Sequence, residues 1–292
     1  MPAWTGWRRC SATPQKEGYT AVKKKTVFYS DPLNDDFAAT NGKIKKREVD
    51  EHYRYRHKGI LYNLSEFAVY RCIATPLVLI YLRLAFGIRI KNRRAARKIK
   101  GGYFLYGNHT QNIADAFIPS LISFPKKSHI ITSQETVSIP VVRFLTPMLG
   151  AVPLPTTVRG AVNFNSAIGD LLKRRRVITV YPEAHIWPFC NFIRPFRDDS
   201  FTYPVKHRLP VVPFVVTYRE RRFLRFLYPL ITVRVCEPVY PDSTLSPREA
   251  RKKLRDGVYG EMCSAADASD NVGYIEYRQT EPEAGEDVPA EA

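Results

Sequence analysis

Apolar positions are distributed unevenly along the chain. Residues 1–55 are rich in Lys, Arg, Gly, Pro and Asn/Asp and have few periodic apolar positions, which predicts a basic, peripheral, poorly structured arm. Trp4, Trp7, Arg8 and Arg9 suit either a lipid headgroup boundary or a mobile terminus. Residues 61–90, LYNLSEFAVYRCIATPLVLIYLRLAFGIRI, are the most apolar stretch. Their longest run free of charge, 72–82, spans 11 residues and contains Pro76. A straight membrane span needs about 20 apolar residues, so the segment reads as interfacial, re-entrant or buried, with Arg71 and Arg83 placed to snorkel. Lys91, Arg93, Arg94, Arg97, Lys98 and Lys100 follow directly. A polybasic cluster beside an apolar helix attracts anionic lipid at about 1 kcal/mol per basic residue. Residues 56–100 are accordingly expected to form a membrane-associating helical segment, the plain alternative being a core helix with a solvated basic face.

From residue 101 the pattern changes to short runs of Val, Ile, Tyr and Phe alternating with helix-compatible stretches, the signature of an α/β layer. Strands are expected at 103–106, 129–132, 151–154, 177–181, 211–217 and 230–236, and helices near 114–123, 140–149, 162–175 and 247–259. Ser246, Pro247 and Glu249 supply a cap, a proline at the first helical position and the glutamate of a capping box. The expectation is one α/β domain over 101–278, with a mostly parallel central sheet flanked by helices, and a disordered acidic tail at 279–292.

With 45% hydrophobic and 12% aromatic residues in 292, a packed core is within reach. The net charge is +17 although the last twelve residues carry five acidic groups and no basic ones, so the folded part is strongly basic and favours a polyanionic partner. No zinc-finger, RRM or KH signature is present, and the basic cluster adjoins an apolar segment, so an anionic membrane surface is expected rather than nucleic acid. Five widely spaced cysteines without a CxxC pair predict neither a disulfide framework nor a metal site. The N-terminus has no apolar core of a secretory signal, so a reducing setting at the cytoplasmic face is expected.

Candidate chemistry lies at two strand ends. In YFLYGNHTQNIADAF a strand delivers Gly107, Asn108 and His109 to the edge where open α/β sheets bind ligands. Asp115 follows after five residues. On a straight helix that pair would be about 240° apart, so the two side chains meet only if the chain turns between them. A carboxylate that meets the histidine fixes its tautomer and steadies the imidazolium, while the other ring nitrogen takes a proton from a hydroxyl. The competing reading is a hydrogen-bonded structural histidine. In VITVYPEAHIWP a second strand delivers Glu183, able to hold a hydroxyl or a cationic side chain near His109, with His185 beside it. Alternatively, Glu183 caps a helix or pairs with an arginine. No GxSxG elbow is present, which disfavours a serine hydrolase.

The order of these features resembles the glycerolipid (lysophospholipid) acyltransferase family. NHTQNIAD resembles its first block, GAVPLPTTVRG its second, YPEAHIWP its third and LPVVPFVV its fourth, over roughly residues 101–239. The resemblance implies an acyltransferase domain without metal or bound cofactor, in which His109, oriented by Asp115, is the general base. The acceptor is then a lysophospholipid or glycerol phosphate and the donor an acyl-CoA or acyl carrier protein. Asn108 and Glu183 become substrate-binding candidates, as do Arg159, matching the block-two arginine that binds acceptor phosphate although it sits further along the block, and Arg194, able to share or take over that phosphate role. The sequence departs from the pattern in three places. Five residues, not four, separate His109 from Asp115, which implies a bulged or longer turn. Ala184 replaces the block-three glycine, and His185, Ile186 and Trp187 replace the arginine and serine that normally follow. These mark a divergent branch, for which the alternative is a catalytically inactive lipid-binding protein on the same fold.

Overall fold

The β-prone runs pair as strands in a computed structural model that describes residues 25–38, 48–55, 57, 59–138, 145–223 and 227–280. Among the described residues nine strands are formed: β1 Lys25–Tyr29, β2 Arg89–Lys91, β3 Tyr103–Gly107, β4 Ser128–Thr132, β5 Ala151–Pro153, β6 Val177–Val180, β7 Val211–Arg219, β8 Leu230–Val235 and β9 Ile275–Gln279. Seven of them make one sheet in the order β2-β8-β7-β3-β6-β4-β5. Every pairing in it is parallel except β7 with β8. All residues of β3 and β6 are buried, as expected of central parallel strands covered on both faces.

Alternation along β3 divides the core. Phe104 and Tyr106 face one layer, with Phe164, Ile168 and Leu172 of the Val158–Lys173 helix and Leu254, Val258 and Met262 of the Pro247–Asp267 helix. Tyr103 and Leu105 face the other, with Leu82, Phe86, Ile118 and Ile122. The six expected strands and the parallel sheet between helical layers are therefore present. The capping box at Ser246 and Glu249 forms, and its helix continues to Asp267, beyond the expected end. The helix expected at 162–175 starts earlier, where the Thr157 side chain accepts from Gly160 N (2.9 Å) and caps it. The stretch 114–123 is a 3-10 turn, Ala114–Ala116, followed by the short Ile118–Ser123 helix. Of the helix expected at 140–149 the described part is Leu145–Leu149.

Two expectations are corrected, on the basic arm and on the cysteines, and the apolar segment takes a definite form. The basic arm is not wholly peripheral. β1 pairs in parallel with β9 in a separate ribbon, and further on Val49 is fully buried and accepts from Thr156 N (2.9 Å). Trp4, Trp7, Arg8 and Arg9 lie outside the described residues, as does 281–292, whereas Gln279 belongs to β9 rather than to a tail. The apolar segment is one continuous helix of 27 residues, Ile60–Phe86, although its charge-free run is short. A π-helical stretch, Ala68–Ala74, interrupts it, and Pro76 falls in the first turn of the α-helical part that follows, where its missing N–H is tolerated. Finally, Cys263 is disulfide-bonded, while Cys72, Cys190 and Cys236 are free.

Candidate active site

Gly107 ends β3 where the Phe214 ring of the neighbouring β7 comes so close that a Cβ would sit 2.2 Å from it. Only glycine fits there, and the next residue leaves the strand at a fixed place. Asn108 then spends its side-chain amide on the adjoining backbone, with Nδ2 donating to Val216 O (3.0 Å) and Oδ1 accepting from Val216 N (2.8 Å). It continues the ladder beyond the last paired residue and anchors the loop; both amide atoms face protein rather than the cleft.

The turn that the spacing demands is organised by Asp115. Its Oδ2 accepts from His109 Nδ1, Thr110 N and Gln111 N, each at 2.9 Å, so one buried carboxylate oxygen both holds the imidazole and curls the intervening loop beneath it. The extra residue between His109 and Asp115 is absorbed in this loop before the Ala114–Ala116 turn. With Nδ1 committed to Asp115, Nε2 is the nitrogen left to a reactant, and the His109 side chain retains 19% exposure.

Tyr181, the first residue after β6, stacks on the His109 ring at a centroid distance of 4.4 Å and 14° between planes. Its hydroxyl donates to the Asp115 carbonyl oxygen. Burial, and then the charge of Asp115, raise the Tyr181 pKa well above the usual range, so the phenol remains a donor. Tyr218 braces the loop from below: its hydroxyl meets Thr110 Oγ1 (2.7 Å) and accepts from Gln111 Nε2 (3.0 Å).

Glu183 reaches the same loop from the other strand end. Its Oε2 accepts from His109 N (2.9 Å) and from Arg194 Nη2 (3.1 Å), and its Oε1 accepts from Arg194 N (2.9 Å). The Glu183 and Arg194 side chains are both fully buried, so this is an internal ion pair under the histidine backbone, and the cationic partner expected of Glu183 is Arg194. Arg194 thus lies beneath the site and not at its surface. Arg159 is the opposite case. It lies in the first turn of Val158–Lys173, on the strand-end edge that also carries His109, with 86% exposure and only Glu51 at 4.0 Å for company. His185 is not joined to His109; its Nδ1 lies 3.3 Å from Asp36 Oδ2.

The backbone of the two loops is stitched as well, Trp187 N donating to His109 O (3.1 Å) and Phe189 N to Thr110 O (3.0 Å). Tyr181, Tyr218 and Trp187 were not among the sequence candidates. Tyr181 had a signal, being the residue presented at the end of β6; the other two act through contacts between distant segments. Among the described residues no group of three or more His, Cys, Asp or Glu could hold a metal ion. The arrangement is a histidine–aspartate dyad on a rigid loop, competent to accept a proton from a hydroxyl at Nε2.

The family model described as Acyltransferase matches residues 87–217, a range that holds the dyad, Glu183 and Arg194. A comparison with curated proteins finds no match. Among solved structures the fold is similar to that of the 1-acyl-sn-glycerophosphate (LPA) acyltransferase, PlsC, from Thermotoga maritima. The TM-score is 0.50 at 20% identity, over 73% of this chain and 91% of that one.

Proposed function

We propose, from the match of residues 87–217 to the acyltransferase family model, that the chain transfers an acyl group from a thioester to the free hydroxyl of a lysophospholipid or glycerol phosphate. Acyl-CoA or acyl carrier protein is the donor. The observation that carries this reading is the 2.9 Å contact between His109 Nδ1 and Asp115 Oδ2 at the strand-end edge.

In the reaction His109 Nε2 takes the acceptor's hydroxyl proton as the oxygen attacks the thioester carbonyl carbon. Asp115 steadies the imidazolium that forms. Collapse of the tetrahedral adduct breaks the C–S bond, and the imidazolium returns the proton to the leaving thiolate, leaving an ester and a free thiol. The nucleophile is the substrate's own alcohol, so no enzyme serine or cysteine is required. Asn108, Glu183 and Arg194 position the loop, and Arg159 is the exposed guanidinium available to an acceptor phosphate.

Association with a membrane surface is supported by the Ile60–Phe86 helix, which exposes Ile60, Leu61, Leu64, Phe67, Leu77 and Leu84. Ile113, Val158 and Val162 are exposed near the dyad and Arg159, at the edge a lipid acceptor would approach. The test is thiol release from palmitoyl-CoA with a panel of lysophospholipids and glycerol phosphate, repeated with an acyl carrier protein donor. His109→Ala is expected to lower the rate by roughly 10²–10⁴-fold, and Asp115→Asn to a comparable extent through the wrong tautomer. No acceptor-dependent release with either donor would point to an inactive lipid-binding protein instead.

A further inference from the structure

Trp187 is fully buried at a point where chain segments from both ends of the sequence converge. From the N-terminal side, Tyr29 of β1 packs on its ring at 4.7 Å, Phe37 meets it edge-on at 5.1 Å, and the Asp35 carbonyl accepts from Trp187 Nε1 (2.8 Å). From the C-terminal side, Tyr277 of β9 stacks on it at 4.9 Å and 24°, and the Tyr277 hydroxyl donates to Pro188 O (2.9 Å). The β1–β9 ladder, from Lys25 opposite Ile275 to Tyr29 opposite Gln279, ties the two sides together.

Trp187 in turn touches the catalytic loop by two routes. Its own backbone N–H donates to His109 O (3.1 Å). Its ring lies 4.6 Å from the Arg194 guanidinium carbon, and Arg194 holds Glu183, whose Oε2 accepts from His109 N. Both backbone polar groups of His109 are therefore set by a network that ends on Trp187. Arg194 leaves Nε and Nη1 buried without hydrogen-bond partners, so the aromatic face is a substantial share of what holds this desolvated cation in place.

We infer that Trp187 is a positioning residue for His109 and that β1 and β9 form a clasp completing the active site, though neither touches it. Positioning errors of about 1 Å cost on the order of 100-fold in rate, so slackening the clasp is read in turnover rather than in binding. The inference rests on the proposed acyl transfer for its kinetic test and stands apart from it for its structural one.

Full-length Tyr277→Ala removes the ring stacked on Trp187. It is expected to lower kcat on the order of 10-fold at unchanged KM, and Tyr277→Phe, which keeps the stack, to recover most of the loss. In the same samples, hydrogen exchange at 108–113 and 183–189 should quicken about 10-fold in Tyr277→Ala while β3 and β6 stay protected. Trp187→Phe, which loses the bond to Asp35 but keeps a ring, should fall between. Unchanged exchange at both loops overturns the clasp, as does acceleration spread evenly through the strands. Should the wild-type chain transfer no acyl group, the proposed reaction fails and the exchange result alone decides the clasp.

Discussion

His109 is held at its ring by Asp115 and Tyr181, at its amide nitrogen by Glu183 and at its carbonyl by the N–H of Trp187. Such redundancy suits a group that must meet a reactant within a few tenths of an ångström. One residue of the same region is under strain. Ala184 has φ 63°, a left-handed conformation that costs a non-glycine residue about 1–2 kcal/mol, and it stands where the resembled family has glycine. Its side chain is exposed. Ala184→Gly relieves the strain but adds unfolded-state freedom worth about 0.4–1 kcal/mol, leaving an expected net stabilisation of about 0.5–1 kcal/mol. Urea denaturation measures it, and a lower midpoint would contradict the assignment. At this scale His109 and Asp115 were legible because a strand, a glycine and a polar loop announce a presented side chain. That Glu183 binds an arginine was one of several open readings, beside holding a hydroxyl or capping a helix. Which arginine, and that it is buried, depended on residues 183 and 194 folding back on one another.

The helix Ile60–Phe86 carries its information in exposure rather than length. The runs of apolar residues were plain, but Glu66, Arg71 and Arg83 split them, so a continuous helix was not apparent. Two of those charges are accommodated individually: Glu66 pairs with Lys127, and Arg71 packs over the Phe124 ring and donates to Pro125 O. The leucines on the outer face are mostly exposed and contribute little to the core. Leu64→Glu with Leu84→Glu is therefore expected to leave thermal stability near wild type. It should cut binding to anionic vesicles on the order of 100-fold, since each buried leucine contributes about 1.5–3 kcal/mol. Undiminished vesicle binding would remove this helix as the contact. The ribbon of β1 and β9 escaped the sequence altogether. KTVFY and IEYRQ are short, carry charge and alternate poorly, and a pairing between Lys25 and Ile275 has no local signature.

For the molecule as a whole, one buried group outside the site links stability to pH. His129 lies in β4, and its burial, together with the charges of Lys127 and Arg176, holds its pKa well below 6.5. His207 is lowered for the same leading reason, with Lys206 and Lys173 adding to it. The folded protein refuses protons that the unfolded chain accepts. Stability is thus complete above about pH 6.5 and declines as the pH falls below it, by up to about 1.4 kcal/mol per pH unit for the buried His129 and by less for the more accessible His207. Melting temperatures taken between pH 7 and pH 5 should fall, and more shallowly in His129→Gln. An identical slope in that variant would show that His129 contributes nothing.

The chain by itself determined the six strands of the central sheet from 103 to 236, the capped start of the Pro247–Asp267 helix and the presentation of His109, because each depends on neighbours a few residues apart whose apolar period and turn chemistry agree. Tertiary structure alone decided that Asn108 faces β7, that Arg194 is spent on Glu183 while Arg159 stays free of the core, and that Trp187 is gripped by both ends of the chain. Those are contacts between segments up to 250 positions apart, as Lys25 and Ile275 are. They are selected by which buried polar groups must find partners and which aromatic surfaces must leave water, demands that exist only once the chain has closed on itself.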